Sequence, residues 1–172
     1  MASVPQAGKF VLDPTKSSVS VHHKTMWGLM TVHGTFNRVS GEGELHEDGN
    51  AGGVITLDTV SLDTKNKKRD EHLRSADFFH AAAHPKIIVD ITQAATSDGS
   101  NVQASGTVTV AGQTKPLTLT AKVSEATGQA VTLTADAQID RADFGMTWNQ
   151  LGMVKGPAQV HVAARFVKSD GV

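Results

Sequence analysis

Between Val102 and Phe166 a small or aliphatic residue falls at nearly every second position within each run, the side-chain period of a pleated strand with one apolar face. The clearest run is Val131, Leu133, Ala135, Ala137 and Ile139, with Thr132, Thr134, Asp136, Gln138 and Asp140 on the opposite face. A nine-residue strand at ~3.4 Å per residue spans about 30 Å. Neighbouring runs repeat the pattern: Val102, Ala104, Gly106, Val108, Val110, then Leu117, Leu119, Ala121, Val123, and later Ala158, Val160, Val162, Ala164, Phe166. A filled sandwich core usually recruits bulky aromatics, whereas this chain is 5% aromatic and has no tyrosine. Long strands whose inner faces use small residues predict spare volume inside.

At 172 residues the chain is the size of one domain, 1–172, and buries a full core without metal or disulfide staples. Sixteen Lys and Arg against 17 Asp and Glu leave a net charge of -1, which provides no broad footprint for nucleic acid or for an anionic membrane. The absence of cysteine excludes disulfides and thiol chemistry. The stretch Met1 to Lys9 has no basic start followed by an apolar run, and no segment reads as a spanning helix, so a cytoplasmic protein without stable membrane insertion is expected.

Asp13-Pro14 and Thr15 predict a turn, after which Val19 and Val21 begin the first strand and Met30, Val32, Gly34 and Phe36 continue the alternation. Gly41, Gly43, Gly49, Gly52 and Gly53 suit the bulges and bends of a closing barrel. Val54 to Leu62 reads as a further strand. The alternation breaks from Thr64 to Pro85, where a short helix is expected from about Asn66 to Arg74. Asn66 caps its start, Asp70 and Arg74 stand at the favourable i,i+4 spacing, and Pro85 forbids continuation into the next strand. Ser97-Asp98-Gly99 and Ala111-Gly112-Gln113 mark antiparallel hairpins. An antiparallel sheet of about eight strands must hide its edges, and closure into a barrel removes them. The expected fold is therefore all-β, an eight-stranded antiparallel barrel with one or two short helices beside it. Periodicity alone leaves a β-sandwich with a filled core as the alternative.

Catalytic motifs are sparse. His80 and His84 in HAAAH would share one helical face, and His72 lies one loop upstream, but zinc needs further ligands, and Ala81 stands where a hydrolase helix carries its glutamate. His22 and His23, adjacent on a strand, point to opposite faces and do not chelate together. Asp136 and Asp140 lie on a polar strand face, where solvated carboxylates are ordinary. No nucleophile elbow, phosphate loop or dinucleotide fingerprint is present. This weighs against an enzyme, and no metal or cofactor is expected. Apolar, soft residues collect instead in two segments outside the regular strands: Met26-Trp27-Gly28-Leu29-Met30, and Phe144-Gly145-Met146-Thr147-Trp148 with Leu151 and Met153. Methionine adapts to varied apolar partners and tryptophan offers a wide apolar face, so the two segments fit either a flexible mouth or plugs for the ends of the core.

The helical segment carries a further signal. Lys67-Lys68-Arg69-Asp70-Glu71-His72-Leu73-Arg74-Ser75-Ala76-Asp77-Phe78-Phe79, followed by Pro85 and Ile87, closely resembles the signature of the YceI-like family. Leu12-Asp13-Pro14, Thr31-Val32-His33-Gly34-Thr35-Phe36 with Gly41, and Arg141-Ala142-Asp143-Phe144-Gly145 frame it, so the resemblance covers nearly the whole sequence. Members of that family look like lipocalins and are regarded as polyisoprenoid-binding proteins. The resemblance implies an isoprenoid quinone or polyprenyl lipid within the lumen, and by family habit a homodimer.

The expected ligand-binding residues are Val21, Met30, Val32, Phe36, Phe78, Phe79, Val89, Ile91, Val108, Leu119, Leu133, Ala135, Phe144, Met146, Trp148, Met153 and Val160. Arg69, His72, Arg74 and Lys155 are the head-group candidates. The first reading is a carrier or store of an isoprenoid lipid. The others are sequestration of varied hydrophobic small molecules, and a metal-dependent enzyme acting on an isoprenoid through the histidines.

Overall fold

The structure, a computed structural model, describes residues 6–25, 28–96, 98–146 and 155–169, with Lys155 described in its backbone alone. Among them the strands are β1 (Gly8–Leu12), β2 (Ser18–Thr25), β3 (Met30–Phe36), β4 (Val39–Leu45), β5 (Ala51–Asp58), β6 (Leu62–Asp63), β7 (Lys86–Thr96), β8 (Asn101–Val110), β9 (Gln113–Ala126), β10 (Ala130–Ile139) and β11 (Lys155–Lys168). Every pairing is antiparallel.

Three long strands are each broken once. β1 and β2 are separated by a single 3-10 turn at Pro14–Lys16, β3 and β4 by Asn37 and Arg38, and β5 and β6 by a 3-10 turn at Thr59–Ser61. The breaks lie side by side, and backbone bonds carry the ladder across them: Asn37 N donates to Ser61 O at 3.1 Å and Asp58 N to Arg38 O at 3.1 Å. Counted this way the sheet is an up-and-down barrel of eight strands. β11 closes it by pairing with β2 through Gln159–Ala163 and with β1 through Phe166–Lys168. Closure excludes the sandwich alternative.

The breaks admit large side chains to the interior. Leu12, Val19, Phe36, Val39, Leu57 and Leu62 flank them and form a buried cluster with Ile87, Val108, Val110, Phe144, Met146 and Ala164. Elsewhere the wall bends through glycine. A β-carbon at Gly53 would stand 2.7 Å from Glu42 O, so β4 and β5 approach there more closely than any other residue allows.

Two sequence expectations are corrected. A strand, β1, precedes the Asp13-Pro14 turn, where only the turn was expected. Val54 to Leu62 is not one strand but two pieces, because the chain turns through Thr59–Ser61 to follow the curvature of the wall.

The single α-helix, α1 (Lys67–Arg74), lies at one end of the barrel. Asn66 caps it, its side-chain oxygen accepting from Arg69 N at 3.0 Å. The expected Asp70 to Arg74 pair is replaced. Asp70 is buried and accepts from Thr64 N at 3.0 Å and from the Thr64 hydroxyl, while Arg74 Nη2 donates to Leu62 O at 3.4 Å. A carboxylate taken from water needs hydrogen-bond donors, and the backbone beyond β6 supplies them.

Candidate ligand cavity

The inward faces of the strands enclose one elongated cavity of about 1420 Å³. It exceeds the roughly 300–1,000 Å³ typical of pockets for drug-sized molecules. The alternation read from the sequence sets its lining: Val131, Leu133, Ala135, Ala137 and Ile139 of β10 all face it, as do Leu117, Leu119, Ala121 and Val123 of β9. On β11 the lining is Ala158, Val160, Val162, Ala164 and Phe166. Alanine at so many inward positions leaves the volume open, because eight strands enclose an interior that larger side chains would fill.

Of the expected apolar lining, Val21, Val32, Phe36, Phe78, Phe79, Val89, Ile91, Val108, Leu119, Leu133, Ala135, Met146 and Val160 border the cavity. Two do not. Met30 stands at the open end of β3 with 57% exposure, and Phe144 packs into the buried cluster. Phe144 is held there by the 3-10 turn Arg141–Phe144, which Asp140 caps by accepting from Ala142 N at 3.0 Å. That segment therefore acts as plug at Phe144 and as lining at Met146. Trp148 and Met153, with Met26, Trp27, Thr147 and Leu151, lie outside the described residues.

The head-group candidates divide. Arg69 and His72 border the cavity near the helix. Both are already engaged: Arg69 donates from Nε to Thr64 Oγ1 at 2.8 Å and from Nη2 to Thr64 O at 2.7 Å, and His72 Nε2 donates to Asp77 Oδ2 at 2.8 Å. His72 also meets Phe78 edge-on, with ring centroids 5.1 Å apart. Arg74 is folded against β6 and does not border the cavity, a correction that follows from its bond to Leu62 O. The side chain of Lys155 is not among those described.

Several polar lining residues escaped the sequence reading. At the helix end these are His23, Thr64, Asn66 and Arg141, beside Lys68; at the opposite end Glu44, His46, Glu47, Asp98 and Ser100. Strand parity with Val19 and Val21 was a usable signal for His23, which is half-buried, while His22 is exposed, touches the cavity's edge and meets His33 with ring centroids 5.5 Å apart. His23 Nε2 donates to Gly156 O at 2.7 Å, since a carbonyl only accepts. Arg141 Nη1 donates to Met146 O at 2.7 Å, and burial pulls its pKa below the ordinary value, with Asp140 opposing the shift. At the far end, Asn101 and Ser100 donate backbone and side-chain bonds to Asp98 and hold its carboxyl well below the usual carboxylate range.

His80 and His84 bring their rings within 5.7 Å, but His80 has a left-handed φ of 48° and the segment is a series of turns, not a continued helix. Among the described residues no group of three or more His, Cys, Asp or Glu is placed to hold a metal ion.

Comparison with known proteins now decides the family: a model of the YceI-like domain matches residues 10–166. The chain belongs to the YceI-like family. A UPF0312 protein of Vibrio cholerae is 28% identical over 148 residues, 81% of this chain and 78% of that protein. Protein YceI of Escherichia coli is 37% identical over 98 residues, 56% of this chain and 51% of its own length. Among solved structures, Burkholderia cenocepacia BcnA superposes with a TM-score of 0.80 at 21% identity, covering 90% of this chain and 98% of that one. A polyisoprenoid-binding domain from Saccharophagus degradans, implicated in plant cell wall breakdown, superposes with a TM-score of 0.74 at 14% identity, covering 95% and 100%. These structural likenesses establish that the YceI-like barrel is the shared fold. Among the described residues no helix is long and apolar enough to cross a membrane.

Proposed function

We propose that this YceI-like protein is a binding protein, not an enzyme, and that it carries or stores an isoprenoid lipid, a polyprenyl chain or isoprenoid quinone, in its lumen. The observation that carries the reading is the continuous apolar cavity of about 1420 Å³ between β7, β8, β9, β10 and β11. Burying a methylene is worth ~0.8 kcal/mol, so a tail of some forty carbons has a gross transfer free energy of order 30 kcal/mol. That is above the practical ceiling of about 18–21 kcal/mol, and ordering of the tail and partial burial absorb the excess. An apolar wall is thus sufficient for affinity, and selectivity falls to tail length and to the polar residues at the ends. In this reading the helix end, with His23, Lys68, Arg69, His72 and Arg141, receives the head group.

Organic extraction of the purified protein followed by mass spectrometry tests the proposal. The expected result is one isoprenoid class at near-stoichiometric amount. Protein that is consistently empty and takes up no added quinone overturns it. Displacement by unrelated apolar compounds at similar affinity would favour sequestration of varied hydrophobic molecules in the same lumen.

A further inference from the structure

The turn between β2 and β3 lies at the same end of the barrel as α1, and its described part presents apolar side chains to water. Leu29 is 85% exposed and Met30 57%. Gly28 carries the turn at φ +91°, with open space around it. Among the described residues, neither side chain borders the cavity or belongs to the buried cluster. Around the same rim stand exposed cations: Lys24 on β2 and Lys67 and Lys68 in the first turn of α1. Of the anions there, Asp63 is taken by Lys65 at 3.2 Å and Asp77 by His72; Glu71, Asp140 and Asp143 are exposed, and the partly buried Arg69, Arg74 and Arg141 keep this end net positive. The cavity's other end is lined instead by the carboxylates Glu44, Glu47 and Asp98. A net charge of -1 conceals this division along the barrel axis.

We propose that the helix end of the barrel docks on an anionic lipid bilayer. Leu29 and Met30 enter the boundary between head groups and acyl chains, and Lys24, Lys67 and Lys68 sit at the level of the phosphates. Charge favours this occupant: a second copy would bring a rim of the same net positive sign, whereas an anionic surface brings the opposite one. The outer wall stays out of the hydrocarbon, because its strands present polar residues such as Thr132, Thr134 and Gln138 of β10. The cavity lining reaches the docking rim at Thr25 and Lys68, so a lipid leaving the bilayer there enters the lumen directly. The purpose of docking rests on the carrier reading above; the contact itself rests on the exposed tip and the cationic rim.

Sedimentation of the intact protein with vesicles tests the contact, using phosphatidylcholine alone and phosphatidylcholine mixed with phosphatidylglycerol. Association with the anionic vesicles alone is expected, and it should weaken as salt is raised. Replacing both tip residues, Leu29→Ser with Met30→Ser, should reduce the association about tenfold or more. The pair Lys67→Gln with Lys68→Gln should reduce it by roughly tenfold at low salt. Val11→Ser, at a residue 42% exposed on the outer wall, should change nothing. Because Leu29 and Met30 touch neither core nor cavity, thermal melts of the variants should match the parent. Wild-type protein that stays in solution with both vesicle types, or binds both equally, overturns the proposal. So does binding that survives both pairs of substitutions. Lipid content, measured separately by extraction, keeps the two readings apart: lipid-loaded protein that never sediments overturns docking alone, whereas docking protein that never yields lipid overturns the carrier reading alone.

Discussion

Gly106 of β8 lies so close to the Asp90 carbonyl of β7 that its α-carbon leaves no room for a β-carbon. The register shifts between Ile91 and Gln93, directly beside this contact, where Ile91 pairs with Gly106. Such a bulge bends the strand and raises its twist, and here it turns the wall around the cavity. Gly106→Ala should destabilise the protein by about 1–3 kcal/mol, because the added methyl must push two backbones apart. The midpoint of urea unfolding checks this; a midpoint unchanged from the parent would show that the wall yields at no cost.

Ala135 gives the opposite expectation. It faces the open lumen from β10, so Ala135→Phe should be accommodated with a stability change below about 1.5 kcal/mol, while shortening the space available to a tail. Uptake of quinones of graded chain length is the measurement, with the longest lost first. Equal uptake of all lengths would place the tail elsewhere.

Asp70 ties α1 to the segment after β6 through Thr64, and Arg69 closes the same loop from its other side. Hydrogen bonds to a buried charge are worth about 1.5–3 kcal/mol, so Asp70→Ala should cost about 2 kcal/mol in denaturant unfolding. Its exposed chain neighbour provides the comparison: Glu71→Ala should stay within about 0.5 kcal/mol.

At the opposite end of the barrel, Asp98 caps the turn between β7 and β8 with its carboxyl held below the usual carboxylate range. A group whose folded pKa is depressed stabilises the fold above its unfolded value, ~3.9 for aspartate, and loses that contribution as pH falls through the folded value. The stability gap between the parent and Asp98→Ala should therefore be full near about pH 6 and narrow below about pH 4. Denaturant midpoints across that range measure it; a gap that widens toward acid would reverse the sign.

The lumen was legible because period two is unforgiving: Val131 to Ile139 shows one face to the cavity and the other outward, as the residues alone require. Asn66 likewise marked the start of α1 by its chemistry. The shortness of β1 hid it, since Phe10 and Leu12 are its only buried positions and a turn signal follows at once. The break at Thr59–Ser61 was masked by alternation that runs on through a tight turn. Asp70 and Arg74 stand at pairing distance on any helix, yet tertiary neighbours outbid the local pair. The polar ends of the cavity come mainly from loops, where Glu47 and Asp98 obey no period and sequence offers no parity to read.

β11 holds both closing contacts, to β1 and to β2, across its 14 residues. Every other wall contact joins neighbours along the chain and can form by successive hairpins, whereas this one spans nearly the whole sequence and bears the largest loop-closure entropy. During synthesis the lumen consequently does not exist until the last strand has emerged. A chain without β11 has two strand edges unpaired and its inward apolar residues uncovered, an aggregation hazard that the final pairing removes.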